Sequence, residues 1–129
     1  MILVDTSVWV EIFRKGPKSW KGAPFDIDEA VTCLPVVQEV LQGIRDEVYY
    51  RRARESLLAL PILESPMSVE LYERAVELYR LARRQGLTIR SSVDCLIAAC
   101  ALRNDVAVLH KDRDFQALAR VSGLREHGF

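Results

Sequence analysis

The sequence predicts an α/β domain in which helices cover both faces of a parallel sheet. Two observations carry this. Short apolar runs, too brief for helices, recur at Ile2-Leu3-Val4, Ala30 to Leu34, Ile62-Leu63 and Val106 to Leu109. Between them lie longer stretches whose apolar residues fall at helical spacing. Parallel neighbours need a crossover connection, and a helix supplies it, so alternation of this kind favours a parallel sheet. A length of 129 residues, half of them hydrophobic, suits one domain spanning 1–129 with one core.

The elements follow in order. Ile2-Leu3-Val4 reads as a buried strand that ends at Asp5-Thr6-Ser7, and Val8 to Phe13 as one or two helical turns. Lys15 to Asp28, with its glycines, prolines and lysines, reads as a loop in which Trp20 and Phe25 tack the segment down or form an interface. Ala30 to Leu34 is the second strand. Pro35 suits the first position of a helix, where its missing N–H has no partner anyway. Val36, Val37, Val40, Leu41 and Ile44 mark one face of that helix, with Gly43 near its end. Glu47 to Leu60 reads as a third helix, which Pro61 separates from the strand Ile62-Leu63.

Ser68 is placed to cap the next helix, with Glu70 in its first turn. Val69, Tyr72, Ala75, Val76, Tyr79 and Ala82 read as one side of it. Arg83 and Arg84 fall in the last turn, and Gly86 stops the helix. Ser91 or Ser92 caps a helix running from Val93 to about Arg103. That helix is apolar nearly all round and rich in alanine, so it is expected at the centre of the fold, closely packed. Val106 to Leu109 is the fourth strand, Asp112 to Arg120 the last helix, and Leu124 falls in a final edge strand.

Lysine plus arginine and aspartate plus glutamate both total 18, so net charge selects no class of partner. Arg45, Arg51, Arg52, Arg54, Arg80, Arg83 and Arg84 read either as solvated helix faces or as contacts to phosphate. Cys33, Cys95 and Cys100 lie inside apolar runs without zinc-site spacing, and read as small buried hydrophobes in a reducing compartment. No stretch approaches the roughly 20 apolar residues that a bilayer span needs. The first apolar run has no basic region before it and is broken at Asp5. A cytoplasmic protein without membrane contact is expected.

The chemistry rests on acids. Asp5 directly follows the first strand, and Asp112 follows the fourth by three residues. In a parallel sheet these points share the carboxyl-end rim, where ligands bind. Asp94 opens the small-residue helix on the face of Ile97, Ala98 and Ala101, and a polar residue on such a face needs a reason. Glu39 lies just off the apolar stripe of the second helix, positioned to aim at the same rim. Clustered carboxylates repel one another, and a divalent cation offsets that repulsion. Oxygen ligands without histidine or cysteine fit Mg²⁺ or Mn²⁺ better than zinc, and His110 and His127 form no metal pair. Such a site turns water into a nucleophile and steadies charge on a phosphoryl oxygen, while arginine or lysine orients the phosphate.

Each acid also has a plainer role. Asp5 reads as a helix cap, Glu39 as a surface acid, Asp94 as a first-turn acid, and one of Asp112 and Asp114 as the cap of the last helix. Thr6 and Ser7 either bond the first-strand carboxylate or a metal-bound water, or cap the first helix.

At these residues the sequence resembles a PIN domain, in particular the toxin component of the VapBC type of toxin–antitoxin pair. Ile2-Leu3-Val4-Asp5-Thr6-Ser7-Val8-Trp9 resembles the family's first motif, and Pro35-Val36-Val37-Gln38-Glu39-Val40-Leu41-Gln42-Gly43 its second. Gly86-Leu87-Thr88-Ile89-Arg90 followed by Asp94-Cys95-Leu96-Ile97-Ala98-Ala99 resembles the third, and Val108-Leu109-His110-Lys111-Asp112-Arg113-Asp114-Phe115 the fourth. Each block alone is weak, but four in order over nearly the whole chain are specific.

The resemblance implies a three-layer α/β/α domain, with a central parallel sheet of four or five strands, acting as a Mg²⁺- or Mn²⁺-dependent endoribonuclease. Its core acids and metal ligands would be Asp5, Glu39, Asp94 and Asp112, with Asp114 accessory. Where the family usually has threonine or serine, this chain has His110, which is then expected to contact substrate. Arg90 and Arg113, beside the acidic motifs, are expected to hold the RNA phosphate. The resemblance further implies a homodimer and a small antitoxin that wraps the early helices and the Tyr49-Tyr50 segment. Two competing readings are a non-catalytic PIN-like binding module and the same metal site acting on DNA. A phospho-accepting receiver domain fits worse, because the first strand contributes only Asp5 and Glu39 has no place in that scheme.

Overall fold

The computed structural model describes residues 1–14, 23 and 25–129. Its strands are β1 (Ile2–Val4), β2 (Ala30–Cys33), β3 (Ile62–Leu63), β4 (Ala107–His110) and β5 (Glu126–Gly128). The helices are α1 (Thr6–Arg14), α2 (Leu34–Gln42), α3 (Glu47–Leu58), α4 (Val69–Arg84), α5 (Ser92–Arg103) and α6 (Arg113–Val121). All paired strands are parallel, in the order β3-β2-β1-β4-β5. α1 packs on α2 and α2 on α3, while α4, α5 and α6 pack on one another. Right-handed crossovers put the two groups on opposite faces of the sheet. The fold is a three-layer α/β/α sandwich around a five-stranded parallel sheet.

β1 lies between β2 and β4. Ile2 is in register with Ala30 on one side and Ala107 on the other, and Val4 with Leu109. Leu3, Val4 and all of β4 are buried. A strand covered on both faces has no solvent side, which is why these segments read as unbroken apolar runs rather than alternating ones. From β1 the chain moves outward to β2 and β3; from β4 it moves the other way, to β5. The direction therefore reverses between β1 and β4, and a crevice opens outside the strands' carboxyl ends at such a point.

α5 is the helix the core is built around. Every residue from Asp94 to Ala101 is buried, and Ser91 caps it by accepting the Val93 N–H at 3.3 Å. Alanines at Ala98, Ala99 and Ala101 let α4 and the sheet approach closely. α4 itself presents Leu71, Ala75, Leu78 and Ala82 to the core.

That face corrects the single apolar side expected for α4. Val69, Tyr72, Val76 and Tyr79 are exposed. The helix carries two adjacent apolar stripes, and the one with the larger aliphatic residues, Leu71 and Leu78, takes the interior. Other boundaries shift slightly. Leu34 opens α2 instead of closing β2, so Pro35 stands one position further into the first turn. α3 ends at Leu58. The last strand lies at Glu126–Gly128, not at Leu124, whose N–H is held by the Ser122 hydroxyl at 3.2 Å in the turn before it. Trp20 and most of the loop expected over 15–28 lie outside the described residues. Phe25 meets Trp9 edge-on, ring centroids 5.5 Å apart, and Trp9 donates its indole N–H to the Val4 carbonyl at 3.1 Å.

Because Ile97 is wholly buried in α5, Ile97→Ala is expected to lower unfolding free energy by about 2–5 kcal/mol in urea titrations. A loss well below that range would mean that the α4–α5 packing relaxes into the gap.

Candidate active site

Asp5 leaves the end of β1 at the point where the sheet changes direction. Its backbone N–H donates to the Leu109 carbonyl at 2.9 Å, which ties it to β4. Its Oδ2 accepts the Ser7 N–H at 3.0 Å and also the Ser7 hydroxyl. The Ser7 oxygen in turn accepts the Lys111 N–H at 3.0 Å. Ser7 thus joins the first carboxylate to the loop after β4. Of the roles expected for Ser7, the bond to the first-strand carboxylate is present, whereas the cap of α1 is Asp5, which accepts the Ser7 N–H. Thr6 turns the other way and donates to Glu39 Oε1 at 2.8 Å.

Asp94, Asp112 and Asp114 form a close group, with one oxygen of each lying within 4.8 Å of the others. Asp94 projects from the first turn of α5 and is buried. Asp112 is the N-cap of α6, its Oδ1 accepting the Asp114 N–H at 3.0 Å. Asp114 is also buried, and its Oδ2 accepts the Arg90 N–H at 3.0 Å. The Arg90 guanidinium spans the pair, with Nη2 3.0 Å from Asp112 Oδ1 and Nε 3.4 Å from Asp114 Oδ1. Sequence reasoning treated Asp114 as accessory, whereas the geometry puts it in the tightest group. Its signal was its place in the first turn of α6, two residues past the cap.

The other expected site residues lie further out. Glu39 is partly exposed on α2, outside the close group of three, on the wall of a groove of about 660 Å³ between α2, α4 and α5. Arg113 is exposed at the start of α6, beside a small pocket that also touches Asp114 and Arg120. His110 is buried, not turned toward substrate. Its Nδ1 accepts the Asp112 N–H at 3.1 Å, and its Nε2 meets Glu126 Oε2. Nothing in the local pattern singles out Glu126, because its partner lies across the β4–β5 pairing.

Two carboxylate oxygens test whether a cation fits. Asp5 Oδ1 and Asp94 Oδ2 are buried and have no hydrogen-bond partner among the described residues. An acceptor removed from water without a donor is costly, and a hard cation is the kind of ligand that satisfies it. The donor set is all oxygen, since His110 has both ring nitrogens engaged. The cluster is therefore able to hold a divalent metal ion.

The sequence profile of the PIN domain matches residues 2–121. The chain belongs to the PIN-domain family. Among curated proteins it is 36% identical over 137 aligned positions to Ribonuclease VapC11 of Mycobacterium tuberculosis, covering 100% of this chain and 99% of that one. It is 34% identical to Ribonuclease VapC51 of the same organism, over 94% of this chain and 87% of that one. Among solved structures, DNA-bound VapBC from Salmonella typhimurium superposes with a TM-score of 0.75 at 14% identity, covering 98% of this chain and 96% of that one. VapBC2 from Rickettsia felis, bound to a DNA fragment from its promoter, superposes with a TM-score of 0.73 at 16% identity, covering 100% and 99%. Likeness at this level of identity speaks to the fold.

Within this PIN domain the carboxyls differ in their hold on protons. Burial pushes Asp5 up, and its bonds to Ser7 pull against that shift. Asp94 is pushed up to about 8, first by burial and then by the charges of Asp112 and Asp5. Burial also acts to raise Asp112, but the Asp114 N–H, the contact with Asp94 and the Arg90 cation together hold it below the usual range. At neutral pH Asp94 therefore carries the proton and donates it to the Asp112 carboxylate. A cation entering the cluster has to displace that proton.

The sign of the pH dependence follows. Asp94 rises from 3.8 to about 8 on folding, so its contribution to stability is full below the lower value and is lost as pH climbs to the upper one. The metal-free PIN domain is expected to melt at a higher temperature near pH 6 than near pH 8.5, and Asp94→Asn to flatten that difference. Thermal melts across this range check it, and an undiminished slope in the variant would assign the proton elsewhere.

Proposed function

We propose that this PIN domain is a Mg²⁺- or Mn²⁺-dependent endoribonuclease and the toxin of a toxin–antitoxin pair. The observation that carries this is the pair of unpartnered buried oxygens, Asp5 Oδ1 and Asp94 Oδ2, at the turning point of the sheet. They stand beside the Asp94, Asp112 and Asp114 group in a chain that matches a VapC ribonuclease end to end. Asp5, Asp94 and Asp112 would hold the ion, with Glu39 on the Thr6 side of the site and Asp114 supporting.

A cation held there would supply water activation and positive charge for the phosphoryl oxygens of a phosphodiester. The protein supplies no nucleophile of its own. Asp94 gives up its proton as the cluster charges. Arg90, half-exposed and already at the acids, is placed to orient the scissile phosphate, with Arg113 beside it for the strand that follows. RNA is favoured over DNA by the ribonuclease relatives, and a non-catalytic module is disfavoured because the sequence keeps all four acids that the family resemblance calls for.

The partners follow from the surface. A groove of about 440 Å³ between α1, α2 and α3 is lined by Val10, Phe13, Val40, Ile44 and Tyr49. It offers an apolar trough to the amphipathic segment of a small antitoxin. The exposed stripe Val69, Tyr72, Val76 and Tyr79 on α4 suits a second copy of the chain in a homodimer. No helix among the described residues is long and apolar enough to cross a membrane. The three cysteines are free and buried, which fits a reducing cytoplasm.

Purified protein incubated with Mn²⁺ and total RNA is expected to release discrete fragments. Asp5→Asn and Asp94→Asn are expected to lose roughly 100-fold or more of that cleavage. A single-stranded DNA of matched sequence should stay intact. Equal cleavage by wild type and both variants would sink the proposal, and cleavage of the DNA alone would redirect it.

A further inference from the structure

We infer that His110 and Glu126 act together as a clamp on Asp112, so that a histidine–carboxylate pair behind the cluster governs how tightly the cluster holds its cation. The inference rests on the metal-site reading above. It concerns positioning residues, since neither ring nitrogen of His110 is left for substrate or metal.

His110 is the last residue of β4 and only 1% exposed. Its ring is held on three sides. Nδ1 accepts the Asp112 N–H at 3.1 Å, Nε2 lies against Glu126 Oε2 from β5, and the Phe115 ring of α6 packs with its centroid 5.2 Å away. The His110 carbonyl accepts the Phe129 N–H at 2.8 Å, which fixes the strand beneath the ring.

A neutral imidazole has one bare nitrogen and one N–H. The nitrogen facing a backbone N–H must be the bare one, so the proton belongs on Nε2, where a carboxylate accepts it. Glu126 thereby selects the tautomer that can receive the Asp112 N–H. Asp112 then passes the constraint forward, because its Oδ1 meets the Asp114 N–H and Arg90 Nη2. The sequence of contacts is Glu126, His110, the Asp112 backbone, and then the Asp112 carboxylate in the close group. Outer contacts of this kind orient metal ligands and typically change affinity by about 10–100-fold when removed.

The test combines Mn²⁺ titration followed by electron paramagnetic resonance with ¹⁵N NMR of the imidazole and of the Asp112 amide. It compares wild type, His110→Asn, His110→Leu and Glu126→Leu, with Asp94→Asn as the site control. Asn places a carbonyl oxygen near the position of Nδ1, so His110→Asn should keep an affinity close to wild type. His110→Leu should weaken Mn²⁺ binding by roughly 10–100-fold and speed hydrogen exchange at the Asp112 amide. Glu126 is partly exposed on an edge strand, so Glu126→Leu probes the clamp without opening the core, even where His110→Leu folds poorly. It should weaken binding and shift the His110 ¹⁵N signals away from a bare Nδ1 and a protonated Nε2.

Unchanged Mn²⁺ affinity in Glu126→Leu, or an equal loss in His110→Asn and His110→Leu, would overturn the clamp. A wild type that binds Mn²⁺ no better than Asp94→Asn would instead overturn the metal-site reading, and the clamp with it.

Discussion

Carboxylates brought together out of water repel each other, and most of the local structure around the site answers that repulsion. Asp94, Asp112 and Asp114 each have an oxygen within 4.8 Å of the others, and Asp5 adds its charge from β1. The metal-free protein tolerates them in three ways. Asp94 keeps a proton, Arg90 lies across Asp112 and Asp114, and backbone N–H groups of Ser7, Arg90 and Asp114 point into the remaining oxygens. Each device is partial, and two oxygens are still left without a donor among the described residues. Acceptors left in that state are what a cation among the acids would satisfy.

The sheet determines where that charge belongs. Because β1 and β4 are neighbours whose chains depart in opposite directions, the ends of these two strands are not covered by their own crossovers. Asp5 and Asp112 hang from those ends, and α5 brings Asp94 in from the side. Ser7 then closes the gap between the strands by accepting from Lys111 while donating to Asp5. Positions so fixed owe little to loop geometry and much to the register Val4 with Leu109.

Much of this was legible before any coordinates. A three-residue apolar run too short for a helix reads as a buried strand, with the aspartate that follows it at the rim, and a helix as apolar as α5 belongs at the centre. What sequence could not resolve were choices between equivalent patterns. α4 bears two apolar stripes of equal spacing, and the one with the leucines Leu71 and Leu78 faces inward. Asp112 and Asp114 are both sound caps by spacing, and only the position of Arg90 shows that the second is drawn into the cluster. His110 reads as a substrate contact because it stands where the family has threonine or serine, and the Glu126 that meets its ring is separated from it by a helix and a turn and brought near by the β4–β5 pairing.

The pairing of β1 with β4 has a further consequence for how the protein comes into being. Asp5 is made well before its partners, because the carbonyl that receives its N–H belongs to Leu109, and the loop that Ser7 anchors begins at Lys111. A growing chain that stops short of β4 has β1 as an open edge and neither Asp112 nor Asp114. Domains fold as they emerge, but here β1 must wait for β4 to complete its pairing. The acidic cluster is thus assembled only once β4 and α6 are made, and before that the chain carries only isolated acids.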